Sequence, residues 1–239
     1  MSNPELDRFL FWLKENNAEF EDIFFKEYSH NERGVHSKKP IKKGSIVIKI
    51  PKKLIIHSNR PSKYGNLMDK YEINIKKKNL TKLVLFMLED MEDDDSFFKP
   101  YYDILPEDLS HMPIFWNDDE LSFLENSHFL SSITDRRKIL EDNYKELCRL
   151  PGFSKKFTFG DFCTVRTLVG SRNFGLNVDS SQVTAMVPLG DMFNHERPPD
   201  VKWTFEQNLD SYTMRANHDI KHGQAITDSY GKKSNNEYL

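Results

Sequence analysis

Two apolar spacings divide this chain, and their order restricts the folds open to it. Ile46, Ile48 and Ile50 alternate with Val47 and Lys49 up to Pro51, and far downstream Val201, Trp203 and Phe205 and then Tyr212, Met214 and Ala216 alternate again. A period of two puts every second side chain on one face, so these stretches predict strands, with Asn208-Leu209-Asp210 as a hairpin turn. Shorter strands are read at 54–57, 185–189 and 224–230. Between these ends the period changes. Residues 81–91 and 131–150 repeat apolar side chains every three to four positions, Asn117 with Glu120 fits a capping box before Leu121 and Leu124, and 158–169 reads as one more helix. Ser2 or Asn3 can cap an opening helix with Pro4 in its first turn and Leu6, Phe9, Leu10 and Leu13 on one face. The expectation is an α+β protein whose strand-rich ends flank a helical insert.

Composition narrows the function classes. With 38% hydrophobic and 13% aromatic residues the chain can bury a core. A formal net charge of −3 lacks the basic footprint of a nucleic-acid binder. Cys148 and Cys163 lie far from CxxC spacing, which argues against zinc or iron–sulfur sites and a disulfide framework, and for an intracellular, cytoplasmic or nuclear, location. The longest apolar run, 83–88, is too short for a signal peptide or a membrane span. The runs Lys76-Lys77-Lys78 and 89–95 read as solvated helix ends. Pro40-Ile41-Lys42-Lys43-Gly44 is echoed by Asp219-Ile220-Lys221-His222-Gly223, one turn used twice ahead of a strand.

The polar residues that suggest chemistry concentrate late in the chain. Ser171-Arg172-Asn173-Phe174 is followed by Val187-Pro188-Leu189-Gly190-Asp191-Met192-Phe193-Asn194-His195, then by Ser229-Tyr230-Gly231 and Ser234-Asn235. Asp191 and His195 are four apart and could share a helical face toward a metal, but no third ligand has recognisable spacing. A blander alternative has Asn194 and His195 satisfying buried backbone groups at a strand end. No G-x-S-x-G, G-x-G-x-x-G or Walker pattern is present, so nucleophilic hydrolysis and nucleotide binding find no support.

The order Glu32-Arg33-Gly34-Val35, Ile41-Lys42-Lys43-Gly44, Ile50-Pro51, Ser171-Arg172, Pro188 to His195, Tyr230-Gly231 and Ser234-Asn235 resembles the SET-domain protein methyltransferases. Residues 100–106 and 113–121 look like the helical insert of one branch, that of the Rubisco large-subunit methyltransferase and related non-histone enzymes. The resemblance implies a SET core in residues 1–58 and 159–239, split by an insert at 59–158, with a final segment that ties Asn194-His195 beside Tyr230. It implies S-adenosylmethionine as cofactor, no metal, and a protein substrate methylated on lysine. A Glu32-Arg33-Gly34 turn would offer backbone groups to the cofactor, with Gly34 permitting close approach. Arg172 would sit near the cofactor carboxylate, and Asp191, Asn194 and His195 would complete its site. Tyr230 matches the catalytic tyrosine, whose hydroxyl lies where methyl donor and acceptor meet. Phe174, with Tyr212 and Trp203, would line the acceptor channel, and an aromatic at 174 suits a lysine stem better than a histidine ring.

Two departures accompany the likeness. Relatives often carry an apolar residue at Arg33, where the contact would be through the backbone. The branch also continues into a helical substrate-binding domain, whereas this sequence stops at Tyr238-Leu239. Two alternatives stay open beside lysine methylation: transfer to histidine, and a SET-fold binding module without catalysis.

Overall fold

The computed structural model describes residues 3–29 and 32–231. They group into two compact units, 1–57 with 173–231, and 58–172. By its contacts the helix at 159–172, expected with the core, groups with the second unit.

The first unit opens with helix α1, Pro4–Glu15, started as its sequence requires. The Asn3 carboxamide oxygen accepts the N–H groups of Glu5 and Leu6 at 3.1 and 3.0 Å, Pro4 occupies the first turn, and Phe9, Trp12 and Leu13 are buried. Strands β1, Ile23–Ser29, and β2, Glu32–Ser37, follow as an antiparallel hairpin. Arg33 and Gly34 are therefore strand residues, not the turn expected of them. That hairpin escapes the period-two test because Phe24-Phe25-Lys26-Glu27 does not alternate and its side chains are only partly buried.

Strand β3, Ile46–Pro51, runs as predicted, whereas 54–57 splits into a one-turn helix, Lys52–Leu54, and a two-residue β4, Ile56–His57. After the second unit come β5, Phe174–Val178; β6, Ser181–Met186; β7, Asn194–His195; β8, Val201–Glu206; β9, Ser211–Ala216; and β10, Thr227–Asp228. They form two antiparallel three-stranded sheets, ordered β3-β9-β8 and β4-β6-β5, and a parallel pair β7-β10. Strand 185–189 is shortened at Met186, because Pro188 has no N–H to give a ladder and Leu189 takes a positive φ of 73°. Strand 224–230 shrinks to Thr227–Asp228, with Ala225 in an isolated bridge to His36.

The two echoed turns meet. Ile41 and Ile220 donate to each other's carbonyls at 2.9 and 2.8 Å, and both side chains are buried. Gly44 and Gly223 hold the same place in each turn, at φ of +84° and +75°. One short motif thus serves as its own pairing partner across the first unit.

The second unit is helical: α2, Lys63–Lys70; α3, Lys78–Asp90; α4, Lys99–Tyr102; α5, Asp118–Ser122; α6, His128–Leu147; α7, Phe153–Lys156; α8, Phe159–Arg172. Helix α2 lies in a stretch whose polar mixture hides its period. The expected capping box forms, Asn117 accepting from Glu120 at 3.0 Å and Glu120 from Asn117 at 2.8 Å. Helix α3 buries Leu83, Val84, Leu85 and Met87 against α2 and α8. The acidic run is partly built in: the Glu89 carboxylate accepts the first N–H groups of α2, from Lys63 at 2.8 Å and Tyr64 at 2.7 Å, and Asp90 holds the Ser96 and Tyr102 hydroxyls. No helix among the described residues is long and apolar enough to cross a membrane.

A Cβ added at Gly44 or at Gly175 in β5 meets nothing within 4 Å, but only Gly44 has a positive φ. Gly44→Ala should therefore cost about 1 kcal/mol in urea unfolding, while Gly175→Ala should be neutral or stabilising.

Candidate active site

Strands β7 and β10 carry the candidate residues, and one buried acid fastens them. The Asp200 carboxylate accepts both the N–H and the hydroxyl of Thr227 at 2.8 Å, and the Asp200 N–H donates to the Thr227 carbonyl at 3.0 Å. With β10 so placed, Thr227 lies opposite Asn194 and Asp228 opposite His195 in parallel register. Both β10 residues are buried, as strands of a parallel pair usually are.

That pairing sets Tyr230 against His195. The Tyr230 N–H donates to His195 Nδ1 at 3.0 Å, the two rings stack with centroids 5.0 Å apart, and the Tyr230 hydroxyl donates to the Phe193 carbonyl at 2.8 Å. One hydrogen bond from its hydroxyl, one from its backbone and a stacked face hold this residue although it is 40% exposed. The Arg197 guanidinium donates to the carbonyl of Gly231, extending the same edge. On the other side the Asn194 carboxamide donates to the Arg33 carbonyl at 3.2 Å. Arg33 thus meets Asn194 through its backbone carbonyl.

Gly34 has a neighbour that its sequence did not announce. A Cβ there would run into the Tyr28 hydroxyl, so the phenol covers the strand where glycine leaves room. Tyr28 is held over it by His36: the phenol lies 2.6 Å from Nε2, and Nδ1 lies 2.8 Å from the Gly223 carbonyl. A carbonyl only accepts, so the ring proton sits on Nδ1 and Nε2 receives the Tyr28 hydroxyl. His36 thereby ties β2 to the second echoed turn.

The three residues expected to line a channel do come together. Phe174 meets the edges or faces of Trp203 and Tyr212 at centroid distances of 5.2 and 5.3 Å, and Trp203 stacks on Tyr212 at 6.3 Å. Tyr212 is fully buried, and its hydroxyl has no hydrogen-bond partner among the described residues. Burial, and then the charges of Asp228 and Asp191, hold this phenol far above its ordinary pKa. Asp191 lies in the one-turn helix Gly190–Met192. Among the described residues no three His, Cys, Asp or Glu side chains cluster as a metal would require. Arg172 is the last residue of α8, in the second unit, and Ser234-Asn235 lie outside the described residues.

Asp200, Asp228, Tyr28 and His36 were not singled out from sequence. Asp228 had a detectable signal, since it follows Ile226 by two positions and so shares a strand face with a buried apolar residue. Burial pushes the Asp228 carboxyl up to about 6. The folded chain then binds this proton more tightly than the unfolded chain, whose aspartates titrate near about 4. Stability contributed here is present below about pH 4, falls as pH rises to about 6, and is level above that. Asp228→Asn should raise Tm at neutral pH, with the gain shrinking to nothing as pH falls toward about 4, as followed by circular dichroism melts.

Comparison with known proteins agrees with this architecture. The SET domain model matches residues 32–231. The actin-histidine N-methyltransferase of Xenopus tropicalis is 27% identical over 99% of this chain and 42% of its own length. Ribosomal lysine N-methyltransferase 4 of Saccharomyces cerevisiae is 26% identical over 98% of this chain and 54% of its own. The structure of Rubisco LSMT bound to AdoMet matches with a TM-score of 0.79 at 21% identity, over 99% of this chain and 55% of that one, a likeness of fold. The chain spans about half the length of these relatives, or less. With most of its length matched by that one family model, the chain belongs to the SET domain family.

Proposed function

We propose that this chain transfers the methyl group of S-adenosylmethionine to a lysine side chain of a non-histone protein. The observation that carries the reading is the junction made by the β7-β10 pair, which sets Asn194, His195 and the anchored Tyr230 hydroxyl at one exposed edge. The cofactor supplies a methyl group on a positively charged sulfur. The donor set fits such a group: the Arg33 and Phe193 carbonyls, the Asn194 carboxamide and the Tyr230 phenol are neutral and rich in oxygen. Asn194 and His195 would hold the cofactor's ends, with the Arg33-Gly34 backbone and Asp191 beside them. Tyr230 would fix the reaction point, its hydroxyl held in place by the Phe193 carbonyl.

Methyl transfer needs alignment and a neutral amine rather than a protein nucleophile. A lysine ammonium has a reference pKa of about 10.4, and an apolar channel lowers it because burial disfavours the charged form. Phe174, Trp203 and Tyr212 supply aromatic walls of that kind. Phe174 offers no hydrogen bond to an imidazole nitrogen, which favours lysine. Transfer to histidine is the second reading, supported by the likeness to actin-histidine N-methyltransferases.

Calorimetry with S-adenosylmethionine or its demethylated product tests the site. Asn194→Ala should weaken Kd about tenfold or more, a loss of about 1.4 kcal/mol, while Tyr230→Phe should bind normally and lose about 100-fold in transfer. A wild-type chain that binds neither compound would overturn the reading in favour of a SET-fold scaffold. Paired peptides that differ only in a central lysine or histidine decide the acceptor, and faster transfer to histidine would reverse that assignment.

A further inference from the structure

Asp228 is a buried acid that the reading above leaves without a task. Its neighbour Thr227 turns its hydroxyl to Asp200, so the alternation of a strand turns the Asp228 carboxylate to the opposite face. On that side the Asp228 charge acts on the Tyr212 phenol of β9, on which Asp191 from the one-turn helix also acts; His195, across the pair on β7, gives its ring to Tyr230. Asp228 is 2% exposed and Tyr212 is fully buried, yet the Tyr212 hydroxyl bonds to nothing among the described residues. Asp228 receives the Ser229 N–H, and no cationic side chain among the described residues pairs with it. A carboxylate out of water calls for a cation, and a dry phenol calls for a hydrogen-bonding partner. The aromatic faces of Phe174 and Trp203 that enclose the Tyr212 ring suit a methylene stem. One chemical group answers all three demands: a primary ammonium on an aliphatic chain.

We infer that Asp228 receives the acceptor lysine, pairing with its ammonium and taking its proton before methyl transfer. The inference rests on the methyl-transfer reading. In the step, one N–H bond of the ammonium breaks and its electron pair stays on nitrogen, while an O–H bond forms on the Asp228 carboxylate. The neutral amine is then the nucleophile, and Asp228 returns the proton to water when product leaves. Tyr212 supports the step by accepting an N–H of the amine on its phenol oxygen, which leaves the nitrogen lone pair free to attack. A carboxyl that titrates near about 6 is a better proton acceptor than an ordinary aspartate and is still ionised at neutral pH.

The test measures methyl transfer from labelled S-adenosylmethionine to a pool of lysine-centred peptides as a function of pH, with calorimetric binding of S-adenosylhomocysteine as the control for folding. Wild-type kcat should rise through a limb near about pH 6. Asp228→Asn should lose that limb and about 100-fold in kcat at neutral pH, with unchanged affinity for S-adenosylhomocysteine. Asp228→Glu should recover part of the rate, and Tyr212→Phe should lower kcat while leaving the limb in place. An Asp228→Asn protein with wild-type kcat and an unshifted profile overturns the inference and leaves the methyltransferase reading intact. So does one that also loses S-adenosylhomocysteine, because the residue is then structural. A wild-type chain that binds S-adenosylhomocysteine but transfers to histidine-centred peptides alone removes the ammonium and the inference with it; no binding and no transfer overturns both.

Discussion

The Asp200 carboxylate grips the N–H and the hydroxyl of Thr227, and that double contact decides where the end of the core strand set lies. Its own position is secured in turn by Gln224 and His218, each 3.1 Å from Oδ1. The two bonds to Thr227 are buried, so they form where water competes little, and losing one would leave a desolvated charge behind. From this fastening the parallel register of β7 and β10 follows, and from the register follows the stack of Tyr230 on His195. Residues thirty-five positions apart thus become hydrogen-bonded neighbours through a contact that neither of them makes.

The same strand carries a cost next to its anchor. Thr227 faces a satisfied acid, whereas Asp228 is buried with no cationic partner among the described residues, and its charge acts on a buried phenol that has no hydrogen-bond partner among them. Asp228 and Tyr212 are therefore destabilising where they stand, within a unit whose surrounding strands are otherwise filled by Val, Ile, Leu and aromatic residues. Strain of this kind is expected where a fold serves chemistry as well as packing.

Legibility from the sequence followed the locality of the physics. Alternation placed β3, β8 and β9, and the capping residues placed α1 and α5, because each depends on neighbours within a few positions. The hairpin of β1 and β2 was missed because its faces are not cleanly divided into buried and exposed. Two-residue strands such as β4, β7 and β10 are shorter than any period, and only their partners make them strands. The echoed turns were visible as a repeat, but that Ile41 and Ile220 bond to each other was not, since nothing local encodes which copy meets which.

The residues themselves determined an α+β chain with a helical insert, a polar set late in the sequence, and an aromatic at 174. Those features follow from side-chain period, capping and residue type, which act over a few bonds. The tertiary structure alone decided that Arg33 offers its carbonyl to Asn194, that Tyr28 covers Gly34, that Asp200 holds β10, and that Asp228 and the Tyr212 phenol both end up dry. The first and third join parts of the chain distant in sequence, and the last two depend on a charge or hydroxyl being removed from water, which happens only when the core closes around it.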